Sequence, residues 1–360
     1  MKDLELNSIK DLKKEGKSFY WASFFLPKKS KENAGILYSI CRYFDNVADK
    51  NNEDQSEYLA RSIEKIQTDN NNIINIFFKK NNINILLLVD LLEGLIIDQS
   101  NIKIKNQREL VKYSYHVAGT VGLMMSKILG VKNNLASSCA IDLGIAMQLT
   151  NIVRDVYEDA QMKRIYLPSD WLPNISLSIL NGRDEITYEQ EEKISSANNR
   201  LIELSEKFYK NGFTGLKYIP FKSRLGIFIA ANVYMGIGRK IKKFGKKYLK
   251  KRVYLTNYEK FIITIKSIII FMIIPLLNYK YLKLTKESPP ELEDALKNAD
   301  ANIARGDKNT TDAVSVSEIT LLPDTSVNAT KAAMAGRKES NSRCRTVWPI
   351  SRHQWRTVSI

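Results

Sequence analysis

Apolar residues recur every three to four positions through most of residues 1–285, and few segments alternate with the two-residue period of a β-strand. Proline is scarce until Pro168 and Pro173, so little interrupts the helical pattern. The pattern predicts an all-α domain. Within it, the Asn- and Lys-rich segment 67–84 is predicted to be a loop between helices.

Residues 261–277 form a nearly continuous apolar stretch, with Lys266 inside it and Pro275 near its end. Its 17 residues are at the lower limit for crossing a bilayer. We interpret the stretch as a terminal helix that is buried or lies on a membrane surface, and a membrane-spanning helix is the alternative.

The composition changes near Lys286, where Ala, Asp, Ser and Thr replace the large apolar residues. We therefore place a boundary at this point, with one domain over residues 1–285 and a tail with little structure over residues 286–360. An origin foreign to the domain, as in a fusion or a reading-frame error, is a second interpretation of the tail.

Basic residues outnumber acidic ones, with 55 Lys and Arg against 39 Asp and Glu, and nearly all of the net charge of +16 lies in residues 1–285. This surplus favours an anionic partner, which is nucleic acid, an acidic membrane face or a phosphorylated substrate. Cys41, Cys139 and Cys344 are too widely spaced for a zinc set or a disulfide framework, and a reducing compartment is the simplest interpretation. The first residues lack an apolar signal-peptide core, so no secretory signal is predicted.

The first candidate site is the segment LYSICRYFDNVADK. On a helix its chemically active side chains fall within about 60° of arc; they are Tyr38, Arg42, Asp45 and Asp49. Two carboxylates one turn apart can hold a hard divalent cation, and Mg²⁺ is the usual choice where phosphates complete its shell. The alternative for an isolated pair of this kind is a solvated surface.

The second candidate site is the segment QLTNIVRDVYEDAQMKRIYLP. Its oxygen-bearing side chains share about 80° of arc; they are Gln148, Asn151, Asp155 and Asp159. Arg154 lies to the side of this stripe, and Lys163 and Arg164 follow it. A salt-bridged helix is the alternative. If the two stripes face each other, they can assemble several Mg²⁺ ions around a diphosphate.

Between the two stripes, Tyr115, Ala118, Gly119 and Gly122 share one helix face. Two interpretations remain open: close helix packing, or a groove in which a long hydrocarbon lies against the backbone. The chain has only two histidines, so a histidine metal site or a Ser-His triad has little support.

Four segments together resemble the squalene/phytoene synthase family, with most similarity to its bacterial phytoene-forming members: KSFYWASFFLP, YSICRYFDNVAD, YHVAGTVGLMM and QLTNIVRDVYEDAQMKRIYLPSDWL. The resemblance extends from about Ser18 to about Arg252. It implies the isoprenoid synthase fold, as a single helical domain around a central cavity. It also implies head-to-head condensation of two geranylgeranyl diphosphates through a cyclopropyl intermediate to phytoene, the first committed step of carotenoid biosynthesis.

The resemblance also assigns roles to residues by position. The Mg²⁺ ligands that it implies, with Mn²⁺ as a possible substitute, are Asp45, Asp49, Asn151, Asp155 and Asp159. The catalytic residues that it implies are Tyr38, Arg42, Tyr115 and Arg154. The substrate-binding residues that it implies are Ser18, Phe19, Gln148, Asn151, Arg164, Tyr234 and Arg252. The chain departs from the family at Asn46, where many relatives have Asp, and at Glu15-Gly16, where some relatives have His-Ser.

Three other functions are weighed against this one. A sister enzyme that makes squalene, dehydrosqualene or hydroxysqualene from farnesyl diphosphate shares the acidic motifs. A non-catalytic assembly factor on a membrane complex predicts eroded metal motifs, and here they are intact. A nucleic-acid binder explains the charge but not the acidic stripes. We expect a cytoplasmic enzyme bound peripherally to the inner face of the membrane, with no NADPH, no nucleic-acid partner and an undetermined oligomeric state.

Overall fold

The computed structural model describes residues 10–49, 55–99, 103–245 and 252–281, with side chains described as far as Ile273. The described residues all belong to one compact unit. No β-strand forms within those ranges, and the β-type pairing found there is an isolated parallel bridge between Lys103 and Ile165. The all-α prediction is therefore confirmed. The predicted tail over residues 286–360 lies outside the described residues.

The first half of the described chain consists of short helices around one long one. These are α1 (Lys10–Lys14), α2 (Lys17–Ser23), α3 (Lys28–Ala48), α4 (Gln55–Thr68), α5 (Ile73–Lys80), α6 (Leu86–Asp98) and α7 (Gln107–Ser114). A π-helical turn, Tyr115–Gly119, joins α7 to the next helix. The second half consists of α8 (Thr120–Ile128), α9 (Ala136–Gln161), α10 (Leu177–Leu180), α11 (Tyr188–Thr214), α12 (Phe221–Phe244) and α13 (Asn257–Tyr281).

Helix α9 is the centre of the domain, with α8, α11 and α12 packed around it. Ile145, Leu149 and Val153 are fully buried, as expected for a core helix. The oxygen-bearing stripe of α9 is buried as well, so this helix carries polar chemistry into the interior. By length and composition α9 is also the one described helix that could cross a membrane, and 56% of its most apolar window is buried inside the fold.

The loop predicted over residues 67–84 is wrong, because α5 lies inside it. Asn72 ends the polar run and caps the helix, since its side chain accepts a hydrogen bond from the backbone N–H of Asn75 at 2.8 Å. Ile74, Phe77 and Phe78 then bury one face of α5. The cap and the apolar face outweigh the low helix propensity of the surrounding asparagines.

Two glycines allow α9 to approach the backbone of α8 and of the π-helical turn that precedes it. A Cβ on Gly122 would lie 2.1 Å from the carbonyl oxygen of Ala140, and a Cβ on Gly144 would lie 2.3 Å from that of Ala118. Backbone atoms cannot move aside as a flexible side chain can. The close-packing interpretation of the small residues is therefore confirmed at Gly122.

We expect Gly144→Ala to lower the free energy of unfolding by about 1–3 kcal/mol, because the added methyl group overpacks the contact between α9 and the π-helical turn. Gly238→Ala in α12 is the matched control, since its Cβ would meet its nearest neighbour, Ile202 Cγ2, at an ordinary 3.8 Å. That change should be neutral or stabilising by up to about 1 kcal/mol through helix propensity. Urea denaturation of both variants measures the difference, and equal effects would contradict the steric explanation.

Candidate active site

The first acidic stripe lies at the C-terminal end of α3. Asp45 is completely buried, and Asp49 is the residue that ends the helix. Neither carboxylate oxygen of Asp45 has a hydrogen-bond donor among the described residues. Burial raises the pKa of Asp45 well above its usual range; the Arg42 guanidinium opposes this shift, while the charges of Asp49 and Asp98 add to it. Asp45 is thus a buried carboxylate in need of a cationic partner.

Arg42 and Tyr38 lie on the same face of α3, as the spacing predicted. Both are buried. Arg42 donates from Nε to a carboxylate oxygen of Glu15, one of the positions at which the sequence differs from the family that it resembles. Burial raises the pKa of the Tyr38 hydroxyl above its usual value, so the phenol stays protonated.

Arg164 connects the first stripe to residues that the sequence did not single out. Its Nη1 atom lies 2.9 Å from Asp49 Oδ1 and 3.3 Å from Asp98 Oδ2. The hydroxyl of Tyr166 donates to Asp98 Oδ1 at 2.7 Å, and the ring of Tyr113 stacks on that of Tyr166 at 4.9 Å between centroids. Burial raises the pKa of Asp98 above its usual value, although Arg164 opposes the shift.

The second acidic stripe is occupied by arginines. Arg154 donates to both oxygens of Asp155, from Nε at 2.8 Å and from Nη2 at 2.6 Å. The Nε atom of Arg252 lies 3.2 Å from Asp155 Oδ1. Asp159 is buried nearby, and its backbone carbonyl accepts a hydrogen bond from the N–H of Arg164 at 2.9 Å. Arg164 thus touches elements that carry both stripes.

The aromatic rings of Phe19, Tyr38 and Tyr234 lie near the arginines and carboxylates of the two stripes. The rings of Phe19 and Tyr234 are 4.7 Å apart between centroids, and Tyr234 is close enough to Tyr38 and to Arg154 to interact with them electrostatically. Burial raises the pKa of the Tyr234 hydroxyl above its usual value. Ser18 lies beside Phe19 on α2 and is partly buried. The structure therefore groups aromatic faces, arginines and carboxylates in one buried region.

A large apolar cavity begins beside this region. It encloses about 910 Å³ between α8, α9, α11 and α12, including the open space at its mouth. Phe19, Gln148 and Asn151 line one part of it, and Gly122, Gly144 and Leu216 line the apolar remainder. Of the four residues on the predicted face, Ala118 and Gly122 line this cavity, and the groove for a hydrocarbon stays a prediction. A second apolar cavity of about 450 Å³ shares Phe19, Met125, Ile227 and Ala230 with it.

Tyr115, which is predicted to be catalytic, directs its hydroxyl toward α6 and not toward the two acidic stripes. It belongs to the π-helical turn, its hydroxyl lies 3.4 Å from Asp90 Oδ2 on α6, and it lines neither cavity. The ring of the adjacent His116 is 3.2 Å from the carbonyl oxygen of Asp90. The structure thus places Tyr115 against α6.

The fit of a divalent cation differs between the residues of each stripe. Asp45 suits one, because both its oxygens lack donors, and the side-chain oxygen of the buried Asn151 lacks one too. Asp49 and Asp155 are instead held by arginines. Accordingly, no group of three or more His, Cys, Asp or Glu side chains in the described part of the chain is arranged to hold a metal. The donor set fits a cation that arrives with further oxygen ligands, such as those of a diphosphate.

Comparison with known proteins gives a consistent result. The family model described as squalene/phytoene synthase matches residues 12–259. A 15-cis-phytoene synthase from Pantoea ananas is 31% identical over 267 residues, which cover 68% of this chain and 84% of that protein. A 15-cis-phytoene synthase from Paracoccus sp. is 29% identical over 270 residues, 70% of this chain and 87% of that one.

Solved structures agree on the fold. A dehydrosqualene synthase in complex with a ligand superposes with a TM-score of 0.61 at 27% identity, over 72% of this chain and 93% of that one. A squalene synthase from Alicyclobacillus acidocaldarius superposes with a TM-score of 0.56 over 66% of this chain and 93% of that one. Its identity is 16%, so this likeness concerns the fold alone.

Proposed function

The chain belongs to the squalene/phytoene synthase family, with its isoprenoid synthase fold and prenyltransferase-type activity, and from this premise we propose that it condenses two geranylgeranyl diphosphates to phytoene. The observation that carries the proposal is a buried group of carboxylates and arginines one helical turn from Asn151, which with Gln148 and Phe19 lines one part of a large apolar cavity. Such a site binds a molecule that has a diphosphate at one end and a long hydrocarbon at the other. Relatives named as phytoene synthases favour the C20 substrate.

We propose that the diphosphates are held by a divalent cation together with arginines. Proteins of this family use a divalent metal to bind diphosphate, and we propose Mg²⁺, with Mn²⁺ as a substitute. Asp45 and Asp49 would hold it on one side, and Asn151, Asp155 and Asp159 on the other. When bound, the cation would draw electron density from the allylic carbon–oxygen bond as diphosphate leaves.

The arginines of the site supply further positive charge for the diphosphate. Arg154 and Arg252 form charge-assisted contacts with Asp155, and Arg164 forms them with Asp49. A guanidinium matches phosphate oxygens as well as it matches a carboxylate, because both present two oxygens to its planar fork. We propose that these arginines orient the leaving groups, with Gln148 as a neutral neighbour that lines the cavity.

The aromatic rings suit a reaction that passes through carbocations. Phe19, Tyr38 and Tyr234 present π faces that stabilise a cation without bonding to it. Because the pKa values of the two tyrosine hydroxyls are raised, they stay neutral and do not trap the cation as phenolates. Burial also excludes water, which would convert the cation to an alcohol. These residues therefore favour rearrangement and proton loss.

A C15 sister reaction is the second candidate, and the likeness to a dehydrosqualene synthase favours it. The test uses purified full-length protein, Mg²⁺, and either C20 or C15 diphosphate, with and without NADPH. We expect the C20 substrate to yield a C40 hydrocarbon without NADPH. Turnover of the C15 substrate alone, or a requirement for NADPH, would establish the sister reaction. Absence of turnover with either substrate would support the assembly-factor alternative.

We also propose that the enzyme works in the cytoplasm at the inner face of the membrane. Its substrates carry long hydrocarbon tails and its product is a water-insoluble hydrocarbon, so both partition into lipid. The basic surplus of residues 1–285 would attract an anionic membrane surface.

A further inference from the structure

Helix α13 has its polarity reversed relative to an ordinary surface helix. Its polar residues Lys260, Thr264 and Ser267 face the protein and are at most 8% exposed. Its outward stripe is apolar and 40–73% exposed, and it consists of Tyr258, Phe261, Ile265, Ile269 and Met272. These five positions follow the three-to-four-residue spacing of one helix face, which we call the α13 stripe.

The contacts of the inner face fix the rotation of α13. Trp21 Nε1 donates to Thr264 Oγ1 at 2.9 Å, and the hydroxyls of Thr264 and Ser267 donate to backbone carbonyls one turn earlier. Ile263 packs where Gly236 lacks a side chain, since a Cβ there would lie 2.7 Å from Ile263 Cδ1. The hydroxyls of Thr264 and Ser267 are thus satisfied on the inside. The helix cannot turn to bury its stripe without breaking the Trp21–Thr264 hydrogen bond and the packing of Ile263 on Gly236.

The stripe is continuous along the outer face of α13, because its five members are three or four residues apart. Single exposed apolar residues are common on soluble proteins, but a contiguous apolar patch marks an interaction surface. The exposed Lys266 borders the patch on α13.

We propose that the α13 stripe is the surface by which this protein docks onto an anionic lipid bilayer, with α13 lying in the plane of the interface. An apolar face bordered by Lys266 on a chain with a net charge of +16 has the two features that interfacial helices use. A second copy of the chain fits less well, because a two-fold contact through the stripe would bring together two strongly basic chains, each with Lys266 at the border of its stripe. The docking surface does not depend on which hydrocarbon the enzyme makes.

The experiment compares full-length protein with the double variant Ile265→Asp/Ile269→Asp on the α13 stripe. Ser196→Asp/Asn199→Asp is the matched control, because it adds the same charge at two exposed positions on α11. Binding is measured by co-sedimentation with phosphatidylcholine vesicles, with and without 30% phosphatidylserine by design. Turnover of substrate dispersed in detergent is measured in parallel, so that loss of docking is separated from loss of catalysis.

We expect the wild-type protein and the control to bind the anionic vesicles and to be released by high salt. The stripe variant should bind at least tenfold more weakly while its turnover in detergent and its helix content stay unchanged. Equal binding by the stripe variant and the control would overturn the proposal. Failure of the wild-type protein to bind vesicles would also overturn the proposal. A dimer in sedimentation velocity would then indicate that a second copy covers the stripe, and a monomer would direct attention to residues 282–360.

Discussion

Asp45→Asn is expected to reduce turnover by about 10²–10³, the usual effect of removing one group that stabilises charge in the transition state. The substitution keeps the size of the side chain and removes its charge. Asp45 is completely buried, and its oxygens lack donors among the described residues, so its carboxylate is available to a cation that enters with the diphosphate. Steady-state kinetics at saturating Mg²⁺ measure the loss.

Stability measurements separate this role from a structural one. In metal-free protein the variant should be as stable as the wild type or more stable, because Asp45 is crowded by the charges of Asp49 and Asp98. Addition of Mg²⁺ and inorganic diphosphate should raise the Tm of the wild type and change that of the variant much less. Asp170→Asn, at an exposed position, is the control. Wild-type turnover by the Asp45 variant would refute the cation-binding role.

Arg164→Gln is expected to lower the free energy of unfolding by about 3–5 kcal/mol, because it removes the guanidinium that pairs with two buried carboxylates. The side chains of Asp49 and Asp98 are 7% and 1% exposed, so water cannot replace the guanidinium. Arg61→Gln is the control, since the Arg61–Glu57 pair lies on the surface and contributes at most about 0.5 kcal/mol. Urea denaturation in the absence of metal gives both values.

A double variant tests whether the unpaired charge is the cause. Adding Asp98→Asn to Arg164→Gln neutralises one of the two buried carboxylates that Arg164 pairs with. It should restore part of the lost free energy of unfolding. If the double variant were less stable than Arg164→Gln alone by the full effect of Asp98→Asn, the two side chains would act independently. The electrostatic explanation of this cluster would then fail.

The helical spacing of acidic residues allowed a prediction of which side chains share a face, but not of what they contact. Asp45 and Asp49 could be placed on one stripe because positions four apart meet on a helix. Asp98 and Tyr166 could not be connected with them, because they come from the end of α6 and from the segment after α9. Contacts between distant segments depend on tertiary packing, which has no local period in the sequence. The partnership of Glu15 with Arg42 is of the same kind.

Composition gives a wrong prediction where a short helix has a strong cap. Segment 67–84 is rich in residues that disfavour helices, yet one of them, Asn72, begins α5 by capping it. The apolar stretch over residues 261–277 was predicted to be a helix at the end of the domain, and α13 contains it. Its reversed polarity could not be predicted, since period alone does not tell which face of a helix meets the protein.

The π-helical turn at Tyr115–Gly119 joins α7 and α8 into one continuous helix whose two parts contact different regions of the protein. Before it, α7 points Tyr113 toward the ring of Tyr166, and after it, α8 points Met125 into the cavity wall. In a regular α-helix, insertion or deletion of one residue rotates all following side chains about the helix axis by about 100°. The extra residue of the π turn sets the rotation of α8 about the helix axis relative to α7. The π turn therefore decides which side chains of α8 face the cavity while α7 keeps Tyr113 against Tyr166.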